Sequence, residues 1–330
     1  MRILIVGTIQ GDNGYEEEYL IKNIEKYLIS QGHTVDNFML PFTRDMLALP
    51  DQIVAYQMVD TSSAEMLITI GFPACTVKHC NKIIYLLETF PMLHEYWESE
   101  YGVLPNAQYS RIYETINEIE GKVLKEAKKI VCNSEILRND LNKRYAIEST
   151  VQFYPNVFEK FDDYYIKDER YYICETSLLP YQRIELLLDT IKLLTVGKWY
   201  LYIPKTNPVY LETLEKQIEA RQITDKITLC KGIISDNAIR NATACFATDY
   251  EVRKIPGVII RCASLGTPVI TCEDSGAITE FVSLNNCGII EKSDVNILAK
   301  RFHQLKVIKK SKNAKKSGDL ESFMRGLTTL

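Results

Sequence analysis

The chain of 330 residues is poor in the things that would mark a special class of protein: 15 glycines, 11 prolines, two tryptophans, and a net charge of only −4. Sparse glycine and proline exclude a fibrous or low-complexity chain, and 46% hydrophobic against 25% charged residues is globular composition. The near-balanced charge supplies no broad positive field to gather a phosphate backbone, which argues against a dedicated nucleic-acid binder. No apolar run is long enough to span a bilayer, so any membrane contact is expected to be peripheral. The opening apolar run Ile3, Leu4, Ile5, Val6 is too short for a signal segment and reads as a first strand.

An even, dense set of cysteines is also missing. The nine cysteines are odd in number and scattered from Cys75 to Cys287, which fits free thiols in a reducing cytosol better than a disulfide framework. Cys75, His79 and Cys80 lie close together, but His79 and Cys80 are adjacent and no second ligand pair follows at finger spacing. They read as buried thiols rather than a zinc site, and no metal or other cofactor is expected.

What is present is an alternation of strand and helix that starts twice. The first half predicts a strand over 3–6, a polar loop, a helix over 16–30 with Leu20, Ile21, Ile24 and Leu28 on one face, strands over 66–70 and 83–87, a helix over 111–128 and a strand over 129–132. After the proline-containing stretch near residue 155, strands are predicted over 171–174, 200–203, 227–229, 244–248 and 268–271, with helices over 183–194, 209–221, 236–241 and 257–265 between them, and a last short helix over 321–327. Strands separated by helices imply parallel sheets. The expectation is α/β: two doubly wound, Rossmann-like domains, 1–157 and 158–330, facing an interdomain cleft, with the last helix of the chain a candidate to return toward the first domain. Lys306, Lys309, Lys310, Lys312, Lys315 and Lys316 crowd the segment before that helix, either as a solvated basic face or as a contact for anionic lipid or glycan.

The segment from Ile233 onward carries more than rhythm. Its turn and helix are followed by a glycine-led helix at Gly257, the run Gly266, Thr267, Pro268, Val269, Ile270, and then Gly276, Glu280 and Gly288. Together with Asn133-Ser134 and Tyr154-Pro155-Asn156-Val157, this resembles the family-four retaining glycosyltransferases of the GT-B fold. The resemblance implies that the second domain binds a nucleotide-sugar donor, that a glycan or other acceptor binds the first, and that a hexose is transferred with retention. Glycine-rich turns at strand ends and helix N-termini suit that chemistry, because backbone N–H groups can approach a diphosphate. The alternative of a dehydrogenase or a sugar-nucleotide epimerase meets the objection that residues 7–12 lack the dinucleotide fingerprint.

Where the family keeps its chemistry, this sequence departs from it. Aligned on Pro180 and Arg183, the family's phosphate-clamping Arg and Lys positions are Ser177 and Gln182. Counting back from Gly266, its paired glutamates, for donor sugar and nucleotide ribose, fall on Arg253 and Arg261, which cannot accept from hydroxyls. Glu88 stands where a sugar-contacting His is frequent; His94 is a substitute or an ordinary core or surface histidine. The paired glycine of the first loop is Asn13-Gly14. If the protein is active, Glu88, Arg183 and Arg261 are the expected catalytic residues, with Arg183 alternatively a structural residue near Glu185, and Gly14, Ser177, Gln182, Ile233, Arg253, Gly257 and Val258 are the expected donor-binding set. Glu251 could also reach the sugar. The resemblance equally implies a degenerate relative that binds a glycan, a nucleotide or a partner glycosyltransferase. A scaffold on the membrane or on glycan-assembly machinery, using the lysine run, is the third reading.

Overall fold

A computed structural model describes residues 1–10, 15–102, 104–155, 170–195, 197–204, 208–305 and 319–328. The chain divides into two compact units. The first comprises Met1–Val157, Arg253–Ile255 and Gly318–Leu330, and the second Phe158–Val252 and Pro256–Ser317.

In the first unit, apolar strands β1 (Arg2–Gln10), β3 (Met66–Ile70), β4 (Lys82–Leu86) and β5 (Lys129–Cys132) build the centre of a parallel sheet. Its edges are β2 (Thr34–Phe42) and the short β6 (Thr150–Val151), and the order is β2-β1-β3-β4-β5-β6. Every residue of β3 and β4 is buried, as expected for strands covered on both faces. The flanking helices include α1 (Tyr15–Ser30), α2 (Leu49–Gln57), α3 (Ala107–Lys125) and α4 (Glu135–Tyr145). Ser134 caps α4 by accepting from Leu137 N. The last helix, α11 (Leu320–Thr328), belongs to this unit: Phe323, Met324 and Leu327 are buried, Phe323 meets the Tyr85 ring edge-on at 4.9 Å, and Lys129 Nζ donates to Gly326 O at 2.6 Å.

The second unit repeats the plan. Strands β7 (Tyr171–Glu175), β8 (Lys198–Ile203), β9 (Ile227–Lys231), β10 (Ala244–Ala247), β11 (Val269–Cys272) and β12 (Gly288–Glu291) form a parallel sheet in the order β12-β11-β10-β7-β8-β9. Helices α5 (Ile184–Leu193), α6 (Pro208–Ala220), α7 (Asp236–Asn241), α8 (Gly257–Leu265), α9 (Ala277–Asn285) and α10 (Val295–Gln304) cover it. Its core centres on Trp199, stacked on Tyr172 at 4.8 Å and met by Phe302 at 5.1 Å.

The final helix falls in the first unit, the place the returning last helix was a candidate to take, and residues 253–255 cluster there too, which local sequence does not encode. One element start differs from the expectation. Arg183 does not begin a helix: its backbone is left-handed (φ 47°, ψ 51°), and α5 starts one residue later. The basic run at 306–316 lies outside the described residues. Among the described residues no helix is long and apolar enough to cross a membrane.

Candidate functional site

In a doubly wound sheet the ligand position lies beyond the carboxyl ends of the strands, where the strand order reverses. The orders above put that point between β1 and β3 in the first unit and between β7 and β10 in the second.

At the second unit's reversal point, side chains stitch the loop after β7 to the end of β10. Gln182 Oε1 accepts from Ser177 N at 2.8 Å, from Thr176 Oγ1 at 3.1 Å and from Leu179 N at 3.3 Å, while its Nε2 donates to Asp249 Oδ1 at 3.3 Å. One amide thus orders the loop carrying Ser177. Arg183 comes next. Its Nε donates to Thr248 O at 2.5 Å and its Nη2 to Asp249 O at 3.2 Å. Both Nη atoms grip Asp274, at 2.7 and 2.8 Å, and Nη1 also reaches Ser293 Oγ at 3.2 Å. The guanidinium is buried, and its charge is taken up by a protein carboxylate. Burial by itself would raise Asp274, but the hydrogen bonds from Arg183 and Ser293 outweigh it and hold the carboxyl below its ordinary value. Asp249 goes the other way, raised by burial despite the bond from Gln182.

Arg261 is fully buried on α8 and turns toward α7. Its Nη2 donates to Asp236 Oδ1 and to Ile234 O, both at 2.6 Å, and its Nε reaches Asp236 Oδ1 at 3.2 Å. It therefore clamps the turn that carries half-buried Ile233, next to Gly232 at φ +88°. Gly257 and Val258 form the first turn of α8, both buried. Pro256 is the N-cap residue, and the first turn of a helix carries partial positive charge on its backbone N–H groups.

Arg253, expected beside these residues, belongs to the first unit. Its Nε lies 2.5 Å from Asp140 Oδ2 and 3.5 Å from Glu95 Oε1, and Ser134 Oγ donates to its carbonyl at 3.1 Å. Glu88, just beyond β4, pairs with Arg44 at 2.6 Å. Gly14 lies outside the described residues.

The reversal point of the first unit holds groups that sequence reasoning did not single out. Thr8 at the end of β1 donates to Glu17 in the first turn of α1, and a Cβ on Gly71, just past β3 at φ +73°, would lie 3.8 Å from the same carboxylate. Lys254 Nζ sits 3.1 Å from Glu16 Oε2 and 3.5 Å from Glu17 Oε1. Burial raises Glu17 above its ordinary value even though Lys254 and Thr8 pull it down. Lys254 itself is shifted upward: burial opposes its charge, and Glu16, Glu17 and Glu88 more than restore it. The only hint in the sequence is the charged cluster Glu251, Arg253 and Lys254, which is equally typical of a solvated turn.

His94 is a core residue. Its Nε2 is 2.9 Å from Glu120 Oε2, which also accepts from Tyr145 Oη at 2.6 Å. Cys75 is buried and its thiol is pushed up to about 12 by burial, while both ring nitrogens of His79 are engaged, with Ala64 O and Asn81 N. Among the described residues no group of three or more His, Cys, Asp or Glu could hold a metal ion.

Two doubly wound parallel sheets in these strand orders define the class: the chain has the GT-B fold. The solved structures it resembles share that fold at low identity. Sucrose-phosphate synthase from Thermosynechococcus elongatus is 15% identical, with 96% of this chain and 93% of that chain covered and a TM-score of 0.73. Anabaena HepE, in complex with UDP and glucose, is 14% identical over 99% and 95%, with a TM-score of 0.63. A putative UDP-N-acetylglucosamine 2-epimerase from Listeria monocytogenes is 11% identical over 97% and 93%, also with a TM-score of 0.63. No protein-family model and no curated protein matches the sequence.

Proposed function

We propose that this chain is a glycosyltransferase-like protein that binds a nucleotide sugar in its second unit and transfers the hexose, with retention, to a glycan or other acceptor. The observation that carries the reading is the first turn of α8. Gly257 and Val258, both buried, form the first turn of a nine-residue helix, and Arg261 of the same helix pins the turn bearing Ile233. A helix end of this kind supplies fixed positive potential toward a diphosphate, and stabilises the charge that develops as the diphosphate leaves. The likeness over nearly the whole chain to nucleotide-sugar proteins, HepE holding UDP and glucose among them, supports the donor class.

In this reading Ile233, Gly257 and Val258 meet the nucleotide, and Ser177 lines the phosphate side of a loop that Gln182 holds in shape. Arg183 and Arg261 act one step back, by fixing Asp274 and the turn at 232–234. Glu88, held by Arg44 in the first unit, is the carboxylate offered to the sugar or the acceptor. Gly14 and Arg253 belong to the donor set only by resemblance. No metal is called on.

A second reading is favoured by a specific observation: Arg183, Arg253 and Arg261 are all paired with carboxylates of the protein itself. A cation already neutralised contributes little to a leaving diphosphate. The chain would then bind a nucleotide or a glycan without transfer, as the partner of an active glycosyltransferase. The test is incubation of the protein with UDP- and GDP-hexoses and a panel of glycans, with products followed by mass spectrometry and anomeric NMR. A glycosylated product with the donor's anomeric configuration supports transfer. Nucleotide binding with no product, and no released hexose, selects the second reading, and inversion at the anomeric carbon overturns retention.

A further inference from the structure

The outer edge of the first sheet carries an apolar groove that the proposed chemistry does not use. Side chains of a strand alternate between the faces of its sheet, so Asp36, Phe38 and Leu40 of β2 share the face on which Leu4 of β1 lies. Helix α2 closes the inner part of that face: its buried Tyr56 packs with Val6 and Leu67 and donates to Leu40 O at 2.9 Å. Leu4, Leu40 and Val59 pack against this cluster without being fully covered by it. Beyond them Phe38 is 44% and Met58 79% exposed, and with Ala55 these side chains line a groove of about 450 Å³.

In a doubly wound unit both sheet faces are ordinarily covered by helices. Among the described residues nothing closes the outer part of this face, so the groove lies where one more helix of the layer containing α2 would pack. An exposed contiguous apolar patch marks a surface of association. Its charge selects the occupant. Asp36 and Asp60 line the same groove, and no lysine or arginine does. Asp60 Oδ1 accepts from Ser62 N at 2.9 Å, which fixes that carboxylate in place. Arg2 comes only within 4.0 Å of Asp36, and both side chains are more than half exposed, so the pair is weak in water. A second copy laid on this face by a two-fold axis would bring aspartates to aspartates, and anionic lipid would meet the same repulsion. A helix with an apolar stripe flanked by lysine or arginine satisfies both the floor and the rim. Met58, unbranched and flexible, can adapt to such a stripe.

We propose that this groove docks a basic amphipathic helix of a partner protein, which completes the helical layer over β2. The surface shares no residue with the proposed nucleotide-sugar site, so it stands whether or not that site transfers a hexose.

The probe is a fluorescent peptide of leucine and lysine, about 18 residues long so that it can hold a helix, titrated with the whole chain and read by anisotropy. A leucine and glutamate peptide with the same apolar stripe is the charge control. The wild type is expected to bind the lysine peptide saturably, and Met58→Asp to weaken that binding at least ~10-fold. Met58 is exposed enough that its replacement disturbs little of the fold, and an added acid would strengthen a purely electrostatic attraction, so the loss isolates the apolar floor. Ala55→Glu, at another exposed groove position, repeats the test should Met58→Asp fail to fold. Asp36→Asn combined with Asp60→Asn should weaken binding ~3-fold and flatten its salt dependence. Equal affinity of the wild type and the groove variants places the peptide elsewhere and overturns the proposal, as does equal binding of the glutamate peptide or no binding at all. Self-association in sedimentation that Met58→Asp abolishes assigns the face to a second copy, and flotation with phosphatidylserine vesicles that the same change abolishes assigns it to lipid; either result overturns the choice of partner.

Discussion

The two units share a plan but use charge differently. The first unit buries ionisable groups in several places: His94 against Glu120, Lys254 between Glu16 and Glu17, and Lys82 on the carbonyls of Cys75 and Val77. The second keeps an aromatic interior around Trp199, with buried Arg183 in the loop after β7 and buried Arg261 on α8 each holding an aspartate. A parallel sheet needs an apolar covering but not a uniform one. The same architecture tolerates ionic networks in one copy, at a desolvation cost that each network must offset.

The contrast can be broken most forcefully in the two cores. His94→Ala would leave Glu120 buried without its partner and should lower stability by about 4 kcal/mol, whereas His94→Gln keeps a donor and should recover part of that loss. Trp199→Ala opens a cavity of comparable consequence, also about 4 kcal/mol. Denaturant melts of a polar replacement separate the two: His94→Gln is expected to restore part of the His94→Ala loss, whereas Trp199→Gln restores none of the Trp199→Ala loss. Equal recovery at both positions would erase the distinction between the units.

A step smaller is Arg183→Met, which strands Asp274 and the carbonyls of Thr248 and Asp249 and should cost about 3 kcal/mol. Because Asp274 sits below its ordinary value when folded, its contribution is complete above the unfolded value and disappears as the pH falls through the folded one. The gap between wild type and Arg183→Met in thermal melts should therefore close in acid, and a gap that stays constant there would mean the ion pair is not its source. The smallest effect concerns Glu17, which is raised when folded, so its contribution is complete below the unfolded value and is lost as the pH climbs through the folded one. Glu17→Gln should show a shallower decline in melting temperature than wild type above the ordinary glutamate range; parallel curves would contradict the assignment.

How much of this could be read from the sequence depended on whether the signal was local. Apolar runs such as 66–70 and 129–132 became β3 and β5 with the expected bounds, and helices 236–241 and 257–265 became α7 and α8. Strand β2 was passed over because it lies at the sheet edge, is largely exposed and contains Pro41, so it shows no clean alternation. Helix α4 was hidden by its polar composition, with Leu137, Leu141 and Tyr145 its only buried positions.

The site was less legible than the fold. Ser177, Gln182, Arg183 and Arg261 could be singled out by their places in a pattern, but their partners are distant in sequence: Asp274 for Arg183 and Asp236 for Arg261. The role of Lys254 depends wholly on tertiary packing. Nothing local to residues 253–255 marks them as members of the first unit rather than of an exposed turn in the second.

The central claim, that the second unit is a nucleotide-sugar site built around the first turn of α8, is tested most directly by calorimetric titration with UDP, GDP and their hexose conjugates. The account predicts saturable, one-to-one binding of at least one of them, weakened by Gly257→Pro, which alters the backbone at the helix N-terminus. The absence of any binding heat or competition at millimolar ligand across the whole set would contradict it.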